Sequence, residues 1–138
     1  MKTIIVGAGE VGSFICQSLS RRGHSVTLIE KSSAGADRID EEQDVKVMCG
    51  NGSSAGMLVD AGIAKARNFV SLTSDDRTNL VACKVAHELG NNLFTVARIH
   101  DQTYLDHSRM DYQQLFDVDF FLNPEMLCAV ELAKAIRH

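Results

Sequence analysis

"IIVGAGEVGSF", residues 4–14, sets three glycines at GxGxxG spacing directly behind an apolar run. Lys2 to Val6 is rich in β-branched residues without polar alternation, the pattern of a strand covered on both faces. From Glu10 the period becomes helical, with Val11, Phe14, Ile15, Ser18 and Leu19 forming one apolar stripe, and Gly23 closes the helix as its cap. The glycines have separate tasks: Gly7 makes the tight turn, Gly9 lets backbone approach a pyrophosphate, and Gly12 lets the helix pack closely on the strand. The helix N-terminus offers that anion its unpaired N–H groups and the positive end of its dipole.

The next strand, Ser25 to Glu30, ends in an acid 23 positions beyond Gly7. A carboxylate there accepts both ribose hydroxyls of an adenosine, each charge-assisted bond being worth ~1.5–3 kcal/mol. It also repels a 2′-phosphate, so NAD(H) or an adenine nucleotide is favoured over NADP(H), an inference that the neighbouring Lys31 softens. The bland alternative is a solvated acid at a strand end.

The remaining chain repeats the alternation. After Glu30 a short helix is expected from about Ser33 to Glu42, then a strand from Val45 to Cys49 and a helix carrying Met57, Leu58 and Ala61. Further strands are expected at Phe69 to Thr73, Leu93 to Ile99 and Val118 to Leu122. The fourth strand is followed by a helix with Leu80, Val81, Val85 and Leu89 on its apolar face. A short helix over Gln102 to Met110 and a last one from Pro124 to about Ile136 complete the reading. Short apolar strands alternating with helices predict an α/β fold: a Rossmann-like doubly wound parallel sheet of about six strands with helices on both faces. Ligands of such sheets bind outside the carboxyl ends of the strands, where the strand order reverses.

Three later strand ends supply candidate contacts. In "CGNGSS", residues 49–54, Asn51 and the small residues Gly52 and Ser53 are placed to meet a base, while Ser53 or Ser54 caps the next helix. In "LTSDDRTN", residues 72–79, Thr73 and Ser74 line the crevice and Asp75 or Asp76 caps the helix. Asn79 faces either crevice or solvent. Arg98 is the one charge in the apolar run of the fifth strand, able to reach a phosphate, to pair with a carboxylate such as Asp75, or to snorkel to the sheet edge.

The chain of 138 residues has room for one domain spanning 1–138. Its composition, 45% hydrophobic and 23% charged, is that of an ordinary globular protein. A net charge of −4 and no basic cluster longer than Arg21-Arg22 argue against nucleic acid as a partner. No run approaches the ~18 apolar residues of a spanning helix. Cys16, Cys49, Cys83 and Cys128 are widely spaced, without metal-ligand patterns, and are expected to be reduced and mostly buried. The five histidines are scattered, and Tyr104 and Tyr112 are followed four positions on by Ser108 and Phe116 rather than lysine, so no acid–base arrangement is recognisable.

"IIVGAGEVG", Glu30, "GNGSS", "VDAGIAKARNFVSLTSDDRTNLVA" and "VARIHD" with Tyr104 together resemble the nucleotide-binding N-terminal half of the RCK, or KTN, domain, especially its bacterial TrkA-N branch. The resemblance implies a cytosolic regulatory subunit, peripheral at the inner face of the membrane. It would bind NAD or NADH, alternatively ATP/ADP, perform no hydride transfer, and gate a membrane-embedded potassium transporter or channel. The phosphate turn would comprise Gly7, Ala8, Gly9, Glu10, Val11 and Gly12, with Glu30 and Lys31 at the ribose. Asn51, Gly52 and Ser53 would lie at the adenine, and Thr73, Ser74, Asp75 and Arg98 would complete the crevice. Many relatives carry Gly-Asp where this chain has Gly50-Asn51. Residues 124–138 resemble the crossover helix that leads into a smaller C-terminal lobe. Where no such lobe covers it, its apolar face of Met126, Leu127, Val130, Ala133 and Ile136 predicts a homo-oligomer, a dimer or tetramer. Two other readings are a cofactor-binding domain of an NAD-dependent dehydrogenase and a structural oligomerisation module with a degenerate site. The former needs a substrate-holding region, and residues 100–138 are too few and too apolar to look like one.

Overall fold

β1 (Lys2–Val6) divides its side chains between two layers, as a strand's period of two requires. Ile4 and Val6 enter a core that contains Leu58, Phe69, Leu80, Cys83 and Ile99, while Ile5 enters a second core with Cys16, Leu28, Val70 and Leu72. The computed structural model describes residues 1–7, 9–32 and 45–136. The helix expected over Ser33 to Glu42 lies outside the described residues.

β2 (Ser25–Glu30), β3 (Lys46–Cys49), β4 (Asn68–Ser71), β5 (Phe94–Arg98) and β6 (Phe120–Leu122) join β1 in one sheet of order β3-β2-β1-β4-β5-β6. Every pairing is parallel. The order reverses at β1, whose neighbours are β2 and β4, so the strand-end crevice opens there. This is the doubly wound architecture expected from the alternation of elements.

α1 (Glu10–Arg21) covers one face of the sheet. It ends in a Schellman motif, in which the Gly23 amide donates to Ser20 O and the His24 amide to Leu19 O, with Gly23 at φ +85°. The other face carries α2 (Ala55–Asp60), a 3-10 turn at Ile63–Lys65, and α3 (Asp76–Leu89). Ser54 is the α2 cap and Asp75 the α3 cap, one of the two alternatives expected in each case.

Several expectations are corrected. Phe14 is 69% exposed, because it lies about 200° around the helix from Gly12 and Cys16, which face the sheet. Val81 is likewise exposed on α3. Cys16 and Cys83 are buried, and burial pushes the Cys16 thiol up to about 11 and Cys83 further still, but Cys49 and Cys128 are exposed. The single helix expected over Gln102 to Met110 is two short ones, α4 (Gln102–Leu105) and α5 (Tyr112–Leu115). Asp106 ends α4 in an extended conformation and accepts from the Ser108 amide, while Asp111 caps α5 by accepting from the Gln114 amide. Tyr104 and Tyr112 meet edge to face at 5.2 Å across the two helices.

α6 (Pro124–Ala135) starts with proline in its first turn and an Asn123 cap that accepts from the Met126 amide. All its residues from Glu125 onward are exposed. On the α1 face of the sheet Val96 and Leu122 pack into the second core, whereas Phe94 and Phe120 are each 48% exposed.

Candidate functional site

The glycine turn is built by steric necessity. Gly7 sits at φ +104°, and a Cβ there would meet the Leu72 carbonyl carbon at 3.0 Å. A Cβ on Gly12 would collide with the Gly7 carbonyl oxygen, so α1 can approach β1 this closely only without a side chain. Around Gly9 a Cβ would meet nothing within 4 Å, leaving open space at the start of α1. The first and third glycines are therefore packing requirements, and the second faces room for a ligand.

Glu30 stands half-buried at the end of β2, where its Oε1 accepts from the Ser32 amide at 3.2 Å. Its backbone oxygen accepts from the Gly50 amide at 2.9 Å, drawing the β3 turn alongside the acid. In that turn Asn51 Oδ1 accepts from the Ser53 amide at 2.9 Å and the Ser53 hydroxyl at 2.7 Å. This local Asx turn leaves the Asn51 NH2 as the side chain's donor end. Gly52 packs so tightly on Val6 that a Cβ would overlap its methyl groups.

β4 delivers Thr73 through Asn79, a residue whose facing the sequence leaves undecided. Asn79 turns to neither crevice nor solvent: it is fully buried. Its Oδ1 accepts from Ser71 Oγ at 2.9 Å, Thr73 N at 3.0 Å and Thr73 Oγ1 at 2.7 Å, while its NH2 donates to Thr73 O at 3.0 Å and Arg98 O at 2.8 Å. One amide thus locks the ends of β4 and β5 together. Asp76, also on α3, accepts from the His100 and Asp101 amides and holds the loop after β5.

Asp75 spends its carboxylate locally. It accepts from the Arg77 amide at 2.9 Å and meets Arg77 Nε at 3.5 Å, and that backbone N–H is the main cause of its depressed pKa. Arg98 therefore pairs with a different acid from the one sequence reasoning offered: its guanidinium donates to Glu125 Oε1 at 3.0 Å.

These groups converge on a crevice of ≈ 500 Å³ at the β1/β4 switch point. Gly7, Gly9, Glu30, Lys31, Asn51, Gly52, Ser53, Thr73, Ser74, Asp75 and Arg98 all line it. Glu10, Val11 and Gly12 do not: Glu10 is exposed in the first turn of α1, Val11 packs into the second core and Gly12 is buried under the turn. Ala8 lies outside the described residues. Sequence reasoning missed the apolar floor, Val6, Ile29 and Leu72, and the Thr78 wall. The floor was legible in part, since ligands of such sheets bind outside the carboxyl ends of the strands around the switch point, where Val6 and Ile29 stand; Thr78 carries no comparable signal. A second cavity of ≈ 560 Å³ adjoins the first through Ser74, Asp75 and Arg98, and Asp101, Tyr104 and Glu125 are among its walls.

A family model described as the TrkA-N domain matches residues 3–118 of the chain. The chain belongs to the TrkA-N domain family. This TrkA-N domain is 32% identical over 139 residues to the Trk system potassium uptake protein TrkA of Haemophilus influenzae, an alignment covering all of this chain and 30% of that protein. The chain therefore spans under a third of that relative's length. Among solved structures it is similar to the TrkA-N domain of the inner membrane protein ybaL from Escherichia coli, with TM-score 0.85, 18% identity, and coverage of 99% of this chain and 96% of that one. It is also similar to the Shewanella denitrificans Kef CTD in AMP bound form, with TM-score 0.76, 24% identity, and coverage of 96% and 76%. At these identities the structural likenesses establish the fold of the TrkA-N domain. Among its described residues no helix is long and apolar enough to cross a membrane.

Proposed function

We propose that this TrkA-N domain is a nucleotide sensor of a potassium uptake system. In this reading it binds an adenine nucleotide with free ribose hydroxyls, NAD(H) first and ATP or ADP second, and does no chemistry on it. It resides in the cytoplasm at the inner face of the membrane, and several copies pass the bound state to a membrane-embedded potassium transport subunit.

The observation that carries this reading is the convergence of the Gly7/Gly9 turn, the Glu30 carboxylate and the Asn51 turn on one crevice at the switch point. An adenosine set there places its ribose at Glu30, its base along Gly50 to Ser53 and its phosphates over Gly9 at the start of α1. In support, the Kef structure of similar fold is in an AMP bound form, and the Haemophilus influenzae relative is a potassium uptake protein. Binding matters only through a difference between states: a shift from 1:99 to 99:1 needs about 5.5 kcal/mol, which several copies acting together supply more readily than one.

Calorimetry with NAD⁺, NADH, ATP and ADP tests this directly. The wild type is expected to bind at least one of them, and Glu30→Ala to lose about tenfold or more in affinity with its two charge-assisted ribose bonds. Binding indifferent to Glu30→Ala overturns the ribose assignment. Steady NAD(H) oxidation with a small substrate overturns the sensor reading in favour of a dehydrogenase.

A further inference from the structure

Arg98 stands between two cavities and two binding partners. Its main chain is fixed, because the carbonyl accepts from buried Asn79 and the residue pairs in register with Leu122 of β6. Its guanidinium is not fixed in the same way. It lines the crevice with Glu30 and Asn51, lines the adjoining cavity, and donates to Glu125 in the first turn of α6. Glu125 is half exposed, with 53% of its side chain accessible against 26% for Arg98, so water screens the pair and its strength is modest. Among the described residues this is the one side-chain ion pair joining α6 to the sheet, since Lys134–Glu131 lies within the helix.

A phosphate group is the stronger partner for a guanidinium. It carries at least the charge of a carboxylate, accepts the planar fork bidentately, and in the crevice would be shared with the start of α1. We infer that Glu125 is a positioning residue that competes with the nucleotide's phosphate for Arg98, so that filling the crevice releases the first turn of α6. Nucleotide charge and α6 attachment are then two sides of one exchange: what tightens one loosens the other. The inference rests on the nucleotide reading of the crevice and adds a route from that crevice to the helix.

The test compares adenosine, ADP and NAD⁺ by calorimetry on the wild type, Glu125→Gln, Arg98→Gln and the double variant, with amide hydrogen exchange along α6. Removing the competing carboxylate is expected to raise ADP and NAD⁺ affinity about two- to fivefold, the worth of a half-exposed pair, and to leave adenosine affinity unchanged. In Arg98→Gln the preference for ADP over adenosine falls, and adding Glu125→Gln then has no further effect. Arg98→Lys, which keeps the charge without the fork, should fall between. Exchange in the first turns of α6 is expected to quicken when ADP binds the wild type, and to be quick already in Glu125→Gln without ligand. An ADP-to-adenosine ratio unmoved or lowered by Glu125→Gln in a protein that binds ADP overturns the competition while sparing the nucleotide reading. A wild type that binds neither adenosine, ADP nor NAD⁺ overturns both.

Discussion

At the residue scale, the site depends on side chains that never touch a ligand. Asn79 has no exposed surface and makes five hydrogen bonds to Ser71, Thr73 and Arg98, so truncation leaves buried donors and acceptors unpaired around it. We predict that Asn79→Ala costs about 2–4 kcal/mol of stability, read from urea unfolding, because each stranded buried polar group carries about 1–3 kcal/mol of desolvation. A loss under about 0.5 kcal/mol would be that of an ordinary surface substitution and would sink the assignment of Asn79 as the lock. Glu30 differs in kind. It is half-buried at a strand end, and its replacement should change binding with little change in stability. Asn79 also shows where single-residue reading fails: an amide four positions beyond the Asp75 cap is equally compatible with solvent, and only the approach of β5 turns it into a buried brace.

At the element scale, α3 is tied to the turn before β6 by charge. Lys84 Nζ meets Asp117 Oδ2 at 2.5 Å and Glu88 Oε1 at 2.9 Å, with His87 Nε2 at 3.8 Å from the same Asp117 oxygen. The hydrogen bond from Lys84 is the main reason the Asp117 carboxyl lies below its usual range, and the bond to Asp117 in turn raises Lys84. For a carboxylate depressed in the folded state, stabilisation is complete above its unfolded pKa near 3.9 and fades as pH falls through the folded value. For a lysine raised in the folded state, stabilisation is complete below about 10.4 and fades as pH rises through the folded value. The link is therefore expected to contribute evenly from about pH 5 to 9, to weaken in acid below about pH 4, and to weaken in strong base. Thermal melts of the wild type against Asp117→Asn should converge at low pH. A difference that grows as pH drops to 2 would refute the pair. Asp75, Asp101 and Asp106, depressed chiefly by the backbone N–H groups they cap, add to the same acid-side loss.

At the scale of the whole molecule, one apolar surface is unaccounted for. Met126, Leu127, Val130, Leu132 and Ile136 of the last segment are 42–62% exposed, and Phe94 and Phe120 of the sheet are exposed as well. A patch of this kind is seldom left to water. We predict that the 138-residue chain is a dimer or larger by light scattering, and that Leu127→Glu with Val130→Glu shifts it toward monomer without unfolding it. A wild type that stays strictly monomeric at high concentration would rule out self-association through this surface. Much of this protein was legible in its residues. Short apolar, β-branched runs and the helical period located the six strands and the main helices, and the glycine spacing with Glu30 marked one edge of the crevice. Such features follow from local chemistry, since a residue's conformational preference and its distance along the chain need no partner. Tertiary structure alone decided that Phe14 and Cys49 face outward, that Asn79 is buried, that Arg98 answers to Glu125 rather than Asp75, and that β5, β6 and α6 leave apolar surface open. Each of these depends on what another segment, distant in the chain, brings within a few ångströms. No local pattern encodes that.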